Sequence, residues 1–168
     1  MTLRAGSPRG FTLLEILITL AVIMLFTGFF VFRFDSGPDE EILTRGSTDL
    51  RSTVLLAKKR AYAFRRDHYL VFGRGGYWLT ESPPRSDDAF LQPPADSRIA
   101  FERYANGIAA EIEDTQSGKW VPLRNFVWRF RDSGLSEPLA IRLRTENSFV
   151  TLRFHALTGL AEEEMILN

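Results

Sequence analysis

The longest apolar stretch of the chain lies close to its N-terminus. Residues 16–32 carry no charge, and counted from Phe11 the apolar segment is 22 residues long. A helix of that length measures roughly 33 Å at about 1.5 Å per residue, which is enough to cross a hydrocarbon core of about 30 Å. Arg4 and Arg9 precede it, so we expect one membrane-spanning helix with a cytoplasmic N-terminus. The run is too long for a cleaved signal peptide, whereas a plain signal anchor stays open.

One carboxylate, Glu15, lies near the start of this segment. An acidic side chain inside a membrane helix costs a few kcal/mol, and a plain anchor gains nothing from it. Cleavage between Gly10 and Phe11 would create an ammonium group on Phe11, one helical turn from Glu15. Because a buried charge without a partner is strongly unfavourable, we predict that Glu15 pairs with this amine, in its own subunit or in a neighbouring one.

The stretch RGFTLLE, residues 9–15, resembles the leader junction of type IV pilins and of type II secretion pseudopilins. The resemblance implies that residues 1–10 are a leader, which a prepilin peptidase removes between Gly10 and Phe11. It further implies N-methylation of Phe11 by the same peptidase. In this family Glu15 would serve subunit assembly.

The resemblance also assigns residues 11–33 two successive environments. This helix would first cross the inner membrane and later pack into the core of a helical filament. The rest of the chain, residues 34–168, would form a periplasmic head.

A second helix is predicted over about residues 40–66. Asp39, Glu40 and Glu41 suit its first turn, where the helix dipole favours negative charge. Its apolar stripe has spacings of 7, 4, 3, 4 and 3 and consists of Leu43, Leu50, Val54, Ala57, Ala61 and Phe64. Five cations lie near its end: Lys58, Lys59, Arg60, Arg65 and Arg66. We interpret them as solvated charges at a helix C-terminus, in preference to a patch for nucleic acid or acidic lipid.

From His68 the apolar pattern changes to a period of two, which is typical of β-strands. HYLVFGRGGYWLT predicts a hairpin that turns at residues 74–76, and residues 81–97, with four prolines, predict a loop. Further strand-like segments follow: RIAFER, IAAEIED, FVWRFR, LAIRLR, FVTLRF and EMIL. They predict an antiparallel sheet with one polar face. The fold class is therefore α+β: a long N-terminal helix, its first half transmembrane, packed on an antiparallel β-rich, pilin-like head whose strands occupy about 68–168.

Composition and motifs argue against an enzyme. Basic and acidic residues balance at 21 each, and the absence of cysteine excludes disulfides and Cys-type zinc sites. His68 and His155 are the only histidines, and no G-x-S-x-G, H-E-x-x-H or Walker motif occurs. We therefore expect no catalytic residue, no cofactor and no metal site. We interpret the acidic run 162–164 as a solvated end, and we do not favour calcium binding by the adjacent acids at 87–88.

A helix followed directly by a long series of strands most resembles the H-type minor pseudopilin of type II secretion, the general secretion pathway protein H family. This resemblance implies a structural subunit near the tip of the pseudopilus. Its partners would be other major and minor pseudopilins, the prepilin peptidase and the inner-membrane assembly platform. It would be a single-pass inner-membrane protein. The exported cargo and the position in the filament stay open.

The alternative is a minor pilin of a type IV pilus that binds DNA. Arginines on the predicted strands would contact phosphate, namely Arg129, Arg131, Arg142, Arg144 and Arg153. Nucleic acid is the less expected partner, because loss of Arg4 and Arg9 with the leader leaves 19 basic to 21 acidic side chains.

Overall fold

The computed structural model describes residues 12–33, 38–91 and 98–167. The chain divides into two compact units between residues 37 and 38, and each unit is described by itself. The predicted cleavage residues Gly10 and Phe11 lie outside the described part of the chain. Within that part, no helix combines the length and the hydropathy required of a membrane span.

The first unit contains helix α1, Leu13–Arg33. It begins where Thr12 provides the backbone oxygen that accepts hydrogen bonds from the N–H groups of Glu15, at 3.0 Å, and Ile16, at 3.2 Å. Glu15 lies in the first turn. Helix α1 lies within residues 11–33, the range predicted to form the transmembrane and filament-core helix.

The second unit begins with helix α2, Pro38–Phe64. Proline suits the first helical position, where its missing N–H would have no partner in any case, and three acidic residues fill the first turn as predicted. Five positions of the predicted stripe are buried: Leu43, Leu50, Val54, Ala57 and Ala61. The sixth assignment was wrong, because Phe64 is 57% exposed. The helix ends there, and Arg65 follows with φ of 54°.

In the described part of the chain, nine strands form two antiparallel sheets. The first sheet has the order β3-β2-β1-β6, and its strands are β1 His68–Phe72, β2 Gly76–Thr80, β3 Arg98–Arg103 and β6 Phe126–Phe130. The second has the order β5-β4-β7-β8-β9, with β4 Ala109–Glu113, β5 Trp120–Pro122, β7 Leu139–Arg144, β8 Phe149–Phe154 and β9 Ala161–Ile166.

The core lies between α2 and the inner faces of both sheets. Helix α2 contacts β1 and β6 of the first sheet and β7 and β8 of the second. At the centre, the Trp128 ring lies 4.8 Å from that of Phe130 and 5.3 Å from that of Phe154, and Trp128 is 2% exposed. Its indole N–H donates to the carbonyl of Glu137 at 3.0 Å, so the buried polar atom has a partner.

The structure confirms the α+β class, since the α-helices precede the strands. It also confirms the hairpin, because β1 and β2 pair in an antiparallel ladder around residues 73–75. Two details differ. The strands divide into two sheets rather than one, since alternation along a strand does not specify its neighbours. The acidic run 162–164 is exposed, as predicted for a solvated end, but it forms part of β9, and Glu163 is bonded to Arg51 of α2 at 2.7 Å. The predicted loop contains a short 3-10 helix, Asp87–Phe90.

Candidate functional site

The start of α1 has the hydrogen bonding of a helix cap. The Thr12 hydroxyl oxygen accepts a hydrogen bond from the Glu15 backbone N–H at 3.2 Å. Threonine followed three residues later by glutamate is the capping-box pattern, in which either Glu or Gln serves at the second position. The negative charge also lies at the positive end of the helix dipole. Glu15 is therefore well placed to support helix initiation, a local role that the sequence reasoning missed.

The described side chains of α1 present apolar surface in every direction. Among the large hydrophobic residues from Leu13 to Leu25, exposure ranges from 46% at Val22 to 83% at Leu13. Leu20 and Ile23 are also more than half exposed. A helix that is apolar on all sides requires an apolar environment. Glu15 is thus a lone carboxylate in a surface suited to lipid or to other apolar helices.

The strand arginines proposed to bind DNA mostly have partners within the head. Arg129 donates twice to one carboxylate oxygen of Asp67, from Nε at 2.9 Å and from an Nη at 2.5 Å. Arg144 pairs with Glu111 at 3.4 Å, and Arg153 with Glu113 at 2.7 Å. These guanidinium groups already have carboxylate partners, so a phosphate would have to compete with them.

Arg142 has aromatic partners instead of a carboxylate. Its guanidinium carbon lies 4.0 Å from the centre of the Trp120 ring and 4.4 Å from that of Phe149. Cations are attracted to ring faces at these distances. Arg131, which was predicted to lie on a strand, instead follows β6, which ends at Phe130. It has neither an ion pair nor a ring contact with the described residues.

Lys58 was predicted to be solvated, and this was wrong. Only 9% of it is exposed, and its ammonium donates to the carbonyl oxygens of Gly134 at 2.5 Å and Ala156 at 2.9 Å. Burial lowers the pKa of Lys58 from its usual 10.5. The lysine therefore joins α2 to the β6–β7 and β8–β9 connections. Its flanking lysine, Lys59, is exposed as predicted.

The two histidines lie in different environments. His68 is fully buried, and its Nδ1 lies 3.0 Å from the carbonyl oxygen of Arg66. His155 is exposed, with its Nε2 3.2 Å from a carboxylate oxygen of Glu162. Within residues 12–33, 38–91 and 98–167, no three His, Asp or Glu side chains are grouped so that they could hold a metal ion.

A known sequence motif coincides with the start of α1. Residues 7–31 match the family model described as the prokaryotic N-terminal methylation motif. The match includes Gly10, Phe11 and Glu15 but spans 25 of the 168 residues. The predicted methylation motif is therefore present in this chain.

Among solved structures, the chain is similar to the minor pseudopilin EpsH from the type 2 secretion system of Vibrio cholerae. The two share 10% sequence identity with a TM-score of 0.46, over 74% of this chain and 96% of EpsH. A likeness at this level does not establish a common function. No curated protein matches the chain significantly.

Proposed function

We propose that the chain is a pilin-like assembly subunit, and within that class a structural minor pseudopilin of a type II secretion pseudopilus. The observation that carries this proposal is the position of the methylation motif, which coincides with the start of α1. The helix has a single carboxylate, Glu15, in a surface that is otherwise apolar on all described sides. Lipid and a bundle of like helices are the two environments that suit such a surface.

The proposed processing follows from the same motif. A prepilin peptidase cuts between Gly10 and Phe11 and methylates the new amine of Phe11. The helix is held in the inner membrane with its N-terminus cytoplasmic and the head periplasmic. Glu15 then pairs with the Phe11 ammonium of a neighbouring subunit, which compensates the carboxylate when the helix enters the filament.

The head acts in assembly near the filament tip and not in catalysis. Its proposed partners are other major and minor pseudopilins and the inner-membrane assembly platform. The H-type assignment is supported by the order of elements among the described residues, in which two α-helices precede nine antiparallel strands. A DNA-binding minor pilin is less well supported, because Arg129, Arg144 and Arg153 are already paired with carboxylates.

Two substitutions separate the intersubunit role of Glu15 from its capping role. Glu15→Gln removes the charge and keeps the capping pattern, since glutamine also serves there. Loss of one partner from a buried pair costs about 3–5 kcal/mol, so this variant should be processed and membrane-resident but should not enter the filament. Thr12→Ala removes the 3.2 Å cap and keeps the charge. A lost cap costs about 0.5–2 kcal/mol, so this variant should still assemble, at a reduced level.

The measurement is the fraction of processed subunit recovered in sheared filaments, with leader loss checked by intact mass. Wild-type incorporation of Glu15→Gln together with failure of Thr12→Ala would show that Glu15 acts through helix initiation. That result would reject the intersubunit pair.

A further inference from the structure

Strand β9 is an open edge of the second sheet. It pairs with β8 over six residues, Ala161–Ile166, without proline and without a register shift. Among the described residues it makes no backbone hydrogen bonds outside that ladder. The opposite edge, β5, has three residues and contains Pro122, which protects it from further pairing. The groups along the free side of β9 can therefore pair with another strand.

An apolar groove lies at the N-terminal end of β9. Its volume is about 690 Å³, and its lining includes Pro138, Phe154, Leu157, Leu160, Ala161 and Glu162. Leu157 is 76% exposed and Leu160 is 56% exposed. Leu160 directly precedes the strand, so the groove and the free edge form one continuous surface. Grouped exposed apolar side chains of this kind mark interaction sites.

Hydrogen bonds hold the groove in its open shape. The Ala156 carbonyl accepts from the Lys58 ammonium at 2.9 Å and from the Ser136 N–H at 3.3 Å. The connection between β8 and β9 is closed by two further bonds, from the His155 N–H to the Leu160 oxygen and from the Gly159 N–H to the His155 oxygen. A preformed site loses little conformational freedom on binding.

The charges along β9 select the partner. Glu163 points toward α2, where it bonds to Ser47 and Arg51, so alternation along the strand places Glu162 and Glu164 on the opposite face. Both are exposed. Residues directly opposite each other in an antiparallel pair lie on the same face, so two β9 strands centred on Glu163 would set Glu163 opposite Glu163 and Glu162 opposite Glu164 twice, and like charges directly opposite are destabilising. A second copy is therefore disfavoured, and a basic strand is favoured.

We propose that β9 accepts an added antiparallel strand from a basic segment of a partner protein. The partner strand carries Lys or Arg at two alternate positions, beside Glu164 and then beside Glu162, followed by apolar residues that enter the groove beyond Ala161. The antiparallel direction follows the pairing of every described strand. Backbone pairing provides affinity, while the charges and the groove provide specificity. This site does not depend on N-terminal processing, so it and the proposed function can fail separately.

Four synthetic peptides test the predicted order of basic and apolar residues in the partner strand. Each is added to the purified full-length chain. The first has the sequence pattern Lys-x-Lys-x-Leu-Leu, and the second reverses that order. The third has Glu in place of Lys, and the fourth is the first peptide with its ladder N–H groups methylated. By fluorescence anisotropy the first should bind saturably, and the other three should bind at least about tenfold more weakly. Amide hydrogen exchange across residues 161–166 should slow only with the first peptide.

Substitutions in the chain provide the reciprocal test. Leu157→Ser with Leu160→Ser should weaken the first peptide about tenfold or more, because apolar burial is lost. Glu162→Lys with Glu164→Lys should exchange the preference between the Lys and Glu peptides, at about two- to fivefold per charge. Matched controls are Leu56→Ser, at an exposed leucine of α2, and Glu146→Lys, in the β7–β8 turn; both should bind as wild type.

Three outcomes would overturn the proposal. Absence of saturable binding removes the site. Equal binding of the Lys and Glu peptides removes the charge selection. If the methylated peptide binds as tightly as the first peptide, the groove binds it without backbone pairing, and strand addition is rejected.

Discussion

Replacing Lys58 with methionine should destabilise the head by about 1–3 kcal/mol. Methionine keeps most of the side-chain volume but removes both hydrogen bonds of the ammonium, which join α2 to Gly134 and Ala156. The Ala156 carbonyl keeps the Ser136 N–H as a donor, so its loss is partly compensated. The Gly134 carbonyl loses the side-chain donor that the structure gives it. Gly134 is half-buried, so its cost lies within the range of about 1–3 kcal/mol for a fully buried acceptor left without a partner.

An opposing contribution comes from the charge itself. Burial lowers the pKa of Lys58, which means that the folded chain holds the ammonium less favourably than water does. Replacing a buried cation by an apolar side chain recovers this desolvation cost, and such replacements are often neutral or stabilising. We expect the loss of hydrogen bonds to dominate, because the ammonium has two well-placed carbonyl acceptors and its side chain retains some contact with solvent.

Urea unfolding of residues 34–168, followed by tryptophan fluorescence to which buried Trp78 and Trp128 contribute, measures the free energy of unfolding. Lys58→Ala should cost about 2 kcal/mol more than Lys58→Met, because it also removes about three packed methylene groups. The packing is visible at Gly159, where an added Cβ would lie 2.2 Å from Lys58 Cδ. Gly159→Ala should therefore be less destabilising in the Lys58→Ala background, where only the strain of its φ of +68° remains. A Lys58→Met variant as stable as wild type would show that the desolvation cost of the ammonium outweighs its two hydrogen bonds to Gly134 and Ala156.

Three further outcomes are expected. Residues 34–168 should fold alone, with a cooperative thermal transition and β-type circular dichroism; a chain without such a transition would contradict the compact second unit. Intact mass of membrane-extracted protein should show cleavage between Gly10 and Phe11 with one added methyl, and a retained leader would reject the proposed processing. Burial raises the pKa of Tyr77 and Tyr104 above 10, so the unfolded chain releases these protons first, and stability should fall above about pH 10 by roughly 1.4 kcal/mol per pH unit for each phenol. Substituting either tyrosine by Phe should remove the contribution of that phenol to the decrease in stability with pH.

The sequence was sufficient for features that depend on local order. The spacing of Leu43, Leu50, Val54, Ala57 and Ala61 predicted the buried face of α2, because helical geometry alone places those positions on one side. The hairpin of β1 and β2 was also predictable, because the glycine-containing turn and the two strands that it joins are adjacent in the sequence. The α+β class then followed from the change of period at His68.

The sequence was insufficient where a side chain depends on distant partners. Lys58 lies next to exposed Lys59, and nothing local distinguishes them; the carbonyls that bury Lys58 come from residues 76 and 98 positions later. Nothing in the sequence distinguishes Glu163 from its acidic neighbours, because its partner, Arg51, lies on the distant helix α2. Phe64 fitted the stripe but lies at the helix end, beyond the surface that the sheets cover.

Under the proposed function, Glu15 decides which environment of α1 is the more stable. The apolar side chains from Leu13 to Leu25 gain nearly as much from lipid as from neighbouring helices, since both exclude water. The carboxylate distinguishes the two, because in lipid it costs a few kcal/mol without a partner, whereas beside a neighbour's ammonium it is compensated. This difference would favour transfer from the membrane into the filament. Substituting Glu15 by glutamine reduces the cost in lipid and leaves the neighbour's ammonium without a counter-charge, so it should shift the helix toward the membrane from both directions.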